Sequence, residues 1–189
     1  MKRLYLITLI LLTALTTQAQ QNSTTDFPTA RPYLGMVEIG YLYGSSTSFG
    51  VKTYKTSPTV QVFNGYRFNK MFALGVTTGF DFYENVLVTP VALGLRGELL
   101  NSRISPIYGL DAGYGTTALS SENSGQKTHG GWMYSPAFGI RANTDNNTAF
   151  TFTVGYKNQR VETRQVNWNG TVDQEINYKR LTTRIGFMF

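Results

Sequence analysis

The one histidine of the chain, His129, sits in a connection that also carries Ser120, Ser121, Glu122 and Ser124. A hydroxyl, an imidazole and a carboxylate are the groups that make a nucleophile, its base and the orienter of that base, so the cluster is a candidate for hydrolytic or acyl-transfer chemistry. Against this, the stretch is rich in Gly and Ser, and no nucleophile-elbow pattern surrounds it. His129 is therefore read as a solvated loop histidine, and the chain as no enzyme. No catalytic, metal-binding or cofactor-binding set is expected: there is no Cys, no metal-ligand spacing and no phosphate loop.

The other residues able to do chemistry are charges that recur beside small residues. Glu38, Arg67, Asp81, Arg96, Glu98, Asp111, Arg141, Lys157 and Arg184, with Arg180, all fall on the Gly, Ala, Ser and Thr side of alternating segments. Gathered into one lumen, they would form either an ion path or a paired network. Buried charges persist only when paired, so the network is the expected form. Glu38 and Arg184 are expected to pair across the seam where the first and last strands meet. Trp168, beside Asn169-Gly170, is a candidate contact residue at a hairpin tip. Phe187 and Phe189 end the chain on the apolar side of its last segment.

Positioning these charges requires strands. Eight segments alternate with period two, at residues 33–41, 60–68, 72–81, 87–99, 108–114, 132–141, 150–157 and 181–189. One side of each is large and apolar, and the other combines small residues with ions. A soluble barrel would put its large apolar residues inside. Here they must face an apolar medium outside, which is lipid. The pattern predicts an all-β fold: an eight-stranded antiparallel transmembrane β-barrel, an up-and-down meander, spanning 33–189.

The connections alternate in length. Residues 69–71, 100–105 and 143–148 are short links; 43–58, 116–130 and 158–179 are long. Short periplasmic turns and long extracellular loops give this alternation, and an even strand count then puts both termini in the periplasm. The last long link reads as a hairpin, because Asn169-Gly170 suits a type I′ turn. That turn pairs Trp168 with Thr171, Arg164 with Glu175 and Phe150 with Phe189, so the last two strands run on beyond the membrane as one ribbon.

Residues 1–19 read as a signal peptide: Lys2 and Arg3, an apolar stretch from Leu4 to Leu15, and Thr17-Gln18-Ala19 as the cleavage site. Residues 20–32 read as a flexible periplasmic lead-in. With Lys2 and Arg3 removed, 15 basic and 11 acidic residues remain. They are scattered, which argues against nucleic acid as a partner. The mature length of about 170 residues fits one domain.

The cleavage region Thr17-Gln18-Ala19-Gln20, the Gly-and-aromatic strands and the terminal Ile185-Gly186-Phe187-Met188-Phe189 resemble the small eight-stranded outer-membrane barrels of the OmpX and OmpA transmembrane-domain type, in their Bacteroidetes porin-family form. The resemblance implies the outer membrane of a Gram-negative bacterium, with its lipid and lipopolysaccharide as surroundings. It also implies that the barrel-assembly machinery reads Phe187 and Phe189 as an assembly signal. Similar barrels include lipid A-modifying enzymes, which is the context in which His129 would matter. The expected function is structural or surface-interacting: the barrel displays its loops and the 158–179 hairpin to an extracellular protein or cell-surface partner. The alternative is a narrow channel for ions or small solutes.

Overall fold

The computed structural model describes residues 32–48, 51–83, 86–118, 126–144, 148–167 and 170–189. The leader, the lead-in up to residue 31, Trp168 and the serines and glutamate around residues 120–124 lie outside them. Nine strands follow one another: β1 (Tyr33–Ser48), β2 (Val51–Asn69), β3 (Phe72–Tyr83), β4 (Val86–Glu98), β5 (Ile104–Thr116), β6 (Gln126–His129), β7 (Gly131–Thr144), β8 (Thr148–Asn167) and β9 (Gly170–Met188). No helix occurs among the described residues.

All strands but β6 form one antiparallel meander. It closes where β1 meets β9, from Met36↔Met188 to Tyr43↔Leu181. Beyond Met188, Gly35 and Phe189 exchange two backbone hydrogen bonds of 2.8 and 2.9 Å, so the last residue completes the seam. The result is a closed eight-stranded barrel, as the alternation predicts.

Period-two alternation places the side chains. On β3, Ala73, Thr77 and Asp81 are buried while Leu74, Val76 and Phe82 are exposed. Leu93 is 66% exposed, Phe138 57% and Ile185 57%. A continuous wall of exposed large apolar residues is far beyond what a soluble monomer presents, and it matches a lipid-facing band. Aromatics rim the band at both ends. Tyr66–Phe68 and Phe150–Phe187 lie at the end holding the termini, and Tyr41–Tyr43, Tyr114–Trp132 and Tyr134–Tyr156 at the loop end. From Tyr33 to Tyr43 β1 crosses the band in about ten residues, the length a tilted transmembrane strand needs.

Three features differ from the sequence expectation. Residues 43–58 are not a loop: β1 and β2 stay paired from Tyr43↔Thr56 to Ser48↔Val51. A polar ribbon has no apolar alternation to betray it, although its Thr, Val and Tyr content favours strands. Within 116–130, β6 adds to the edge of β8 through Gln126↔Gln165 to His129↔Glu162. Four residues are too few to show a period. Finally, β8 and β9 form one long ribbon, but its pairing is Asn167↔Gly170, Arg164↔Asp173 and Phe150↔Phe187, two residues away from the register set by an Asn169-Gly170 turn. A slip of two leaves every side chain on its own face, so matching apolar faces cannot distinguish the two registers.

Candidate functional site

Most of the charged residues converge on the middle of the lumen, and each is held by residues of other strands. Arg96 on β4 meets Asp111 on β5 through two contacts, Nη1–Oδ1 at 2.9 Å and Nη2–Oδ2 at 3.0 Å. Thr77 Oγ1 donates to Asp111 Oδ1 at 2.6 Å, and Gln61 Nε2 donates to Oδ2 at 3.0 Å. The Arg96 guanidinium also lies 4.7 Å from the centre of the Phe63 ring. Asp81 accepts from Thr59 Oγ1 at 2.6 Å and from the Lys157 ammonium, both deep in the lumen. Glu98, nearer the terminal end, takes Arg141 at 2.6 Å and Arg67 at 3.4 Å on the same oxygen, Oε1. Paired and hydrogen-bonded in this way, buried charges are tolerated, whereas a lone one would be costly.

Glu38 and Arg184 are both buried and inward but form no ion pair with each other. Glu38 accepts from Thr153 Oγ1 at 2.9 Å, while Arg184 donates to Gln61 Oε1. The register explains why. Glu38 stands opposite Gly186, and Arg184 opposite Gly40. Each long side chain lies across the bare glycine of its neighbour: a Cβ on Gly186 would meet Glu38 Cγ at 2.7 Å, and one on Gly40 would meet Arg184 Cγ at 2.7 Å. Glu38 therefore reaches over β9 to β8, and Arg184 reaches over β1 to β2. The two pass each other in opposite directions around the wall. The same device seats the best pair, since Asp111 stands opposite Gly94 and Arg96 opposite Gly109.

The polar belt does not fill the lumen alone. At the terminal end Leu34, Met36, Phe63, Ala73, Ile107, Ala149 and Met188 form an apolar cluster inside the barrel. At the loop end Leu42, Tyr83, Val86, Val88 and Val161 form another, with Tyr178 against it. Tyr83 and Tyr178 stack at 4.4 Å, Arg180 lies 5.7 Å from the Tyr178 ring centre, and its Nη1 donates to the Lys55 carbonyl at 3.2 Å. The inward face is thus richer in large apolar residues than the small-residue pattern suggests. The sequence carries the signal at Phe63, which occupies an inward position between Gln61 and Gly65. Gln61, Thr59, Thr77 and Thr153 supply hydrogen bonds to the belt, roles that no sequence pattern marks.

The remaining candidate residues lie elsewhere. His129 is exposed on β6, opposite Glu162 of β8. Phe187 faces outward on β9 at 38% exposure, and Phe189 covers Gly35, with ring atoms 2.4 Å from where a Cβ would stand. Among the described residues, no group of three or more His, Cys, Asp or Glu is placed to hold a metal.

A closed antiparallel meander with an apolar outer wall, aromatic rims and a charge-filled interior defines an integral membrane β-barrel. The chain belongs to the outer membrane protein beta-barrel domain family, whose family model matches residues 7–189, and its place is the outer membrane of Gram-negative bacteria. No curated protein matches the chain. Among solved structures, it resembles the outer membrane protein OprG from Pseudomonas aeruginosa at 15% identity, covering 86% of this chain and 98% of that one, with a TM-score of 0.61. It resembles the outer membrane protein AlkL in lipid bilayers at 13% identity, covering 90% and 95%, with a TM-score of 0.56. Neisserial surface protein A matches at 14% identity, covering 82% and 94%, with a TM-score of 0.51. At these identities the likeness is one of fold alone.

Proposed function

We propose that this barrel is a non-conducting outer-membrane anchor that presents its β1–β2 and β8–β9 ribbons, the latter widened by β6, as a surface for an extracellular protein or cell-surface partner. Both termini face the periplasm in this reading. The observation that carries it is the contrast between a filled lumen and extended ribbons. Two apolar clusters and a paired charge belt stack inside the barrel, and eight strands leave little interior to spare. Meanwhile β8 runs on from Tyr156 to Asn167, a reach of roughly 35 Å past the aromatic rim at strand rise. Partner capture by strand addition along a ribbon edge suits such a surface. Trp168, which follows β8 in the sequence and lies outside the described residues, is the candidate apolar contact. Lipid and lipopolysaccharide surround the wall, and the barrel-assembly machinery engages Phe187 and Phe189 during biogenesis.

The experiment has two arms. Purified protein in planar bilayers should show no steady single-channel conductance; stepwise ion currents would replace the anchor with the narrow-channel reading. Joining Asn158 to Arg180 through a tight turn should leave a folded barrel and remove any adhesion the parent supports. Adhesion equal to the parent would move the contact surface off this ribbon. Hydrolysis of lipid A by the parent but not by H129A would instead revive the enzyme reading.

A further inference from the structure

The lumen charges are not evenly matched. Asp111 neutralises Arg96 and Asp81 neutralises Lys157, one for one. Glu98 alone serves both Arg67 and Arg141, and both guanidinium groups meet the same carboxylate oxygen. Arg67 and Arg141 have side chains only 16% and 12% exposed, so the surplus positive charge is poorly hydrated. Donors are also left over: Arg141 Nε is buried with no acceptor, and Arg67 Nη2 otherwise meets only the Met188 sulfur at 3.9 Å. Beside this cluster lies a small cavity of about 10 Å³, with Arg67, Lys70, Arg96 and Glu98 as its charged lining. That room holds one water-sized particle. A buried cluster with surplus cations beside so small a cavity is short of negative charge.

We propose that this cavity at the terminal end of the lumen, bounded by Arg67, Lys70 and Glu98, binds a single small inorganic anion of halide size. Larger oxyanions such as phosphate or an organic carboxylate exceed the space. The bound anion supplies the charge that Glu98 cannot share between two arginines, and it adds to the 2.9 Å hydrogen bond by which the Glu98 N–H already ties the Lys70 carbonyl of the β2–β3 turn to the end of β4. The site differs in place and role from the outer ribbons, and it neither needs nor implies ion passage.

The test uses the full-length protein crystallised with bromide in place of chloride. An anomalous peak is expected between Arg67 and Lys70, and its absence at high bromide overturns the proposal. In solution, the unfolding midpoint should rise with chloride more than with gluconate at equal ionic strength. K70Q, at an exposed position, should fold normally and weaken the apparent chloride affinity by about tenfold, the change expected when a charge within a few ångströms is removed. R67Q should do the same, and E98Q should tighten it by a similar factor. If E98Q does not fold, K70Q and R67Q still decide the matter. A chloride response unchanged in both, or no difference between chloride and gluconate in the parent, leaves the cavity to water and refutes the anion site.

Discussion

Replacing Asp111 by Asn should be among the most damaging single changes to the barrel. Asp111 is 1% exposed and accepts from Arg96 twice, from Thr77 and from Gln61. Asn keeps the size and one acceptor but removes the charge, which leaves the Arg96 guanidinium buried against Phe63 with no counter-ion. Breaking one partner of such a pair costs about 3–5 kcal/mol. Arg96→Met strands the carboxylate instead and should cost about as much. The double variant, Arg96→Met with Asp111→Asn, buries no charge. The Asn carbonyl oxygen still accepts from Thr77 or Gln61, so about 1–3 kcal/mol is lost for the one left unsatisfied. The double variant should therefore be more stable than the sum of the singles implies, by at least about 2 kcal/mol, a coupling typical of a shared network. Urea unfolding from lipid vesicles, followed by tryptophan fluorescence, gives the four free energies of the cycle. Additivity within about 0.5 kcal/mol would refute the reasoning, because independent sites behave that way.

Gly40→Ala should block closure of the barrel, because a Cβ there would lie 2.0 Å from the Thr183 carbonyl oxygen; the heat-modifiable band on gels should fall sharply relative to the parent. Deleting Phe189 removes both hydrogen bonds to Gly35 and the ring that covers it. The protein should then accumulate unassembled in the periplasm, and normal outer-membrane levels of heat-modifiable barrel would contradict this. Neutralising Glu38 and Arg184 should give additive losses, since their bonds run to Thr153 and Gln61; strong coupling in the double variant would mean that the two do meet in the folded barrel.

The sequence by itself determined which residues face lipid and which face the lumen. That follows from the pleat: side chains alternate with a period of two, and a barrel has only two faces, so Val76 and Gly75 are sorted by parity alone. The same parity sends Glu38, Asp81, Arg96, Asp111, Lys157 and Arg184 inward. Partner choice was not legible. It depends on register and on the reach of each side chain around the wall, and parity is blind to both. The two-residue offset of β8 on β9 and the crossing of Glu38 and Arg184 share this origin. Each leaves the faces unchanged and alters only which residues stand opposite one another. The polar continuation of β1 and β2 and the four-residue β6 were hidden for a different reason. Outside the lipid band no apolar face is required, so the alternation that marks the other strands is not imposed there. The tertiary structure also decided where glycine is needed. Gly40, Gly94, Gly109 and Gly186 read as ordinary small lumen residues until strand pairing places each beneath the side chain of the charged residue opposite.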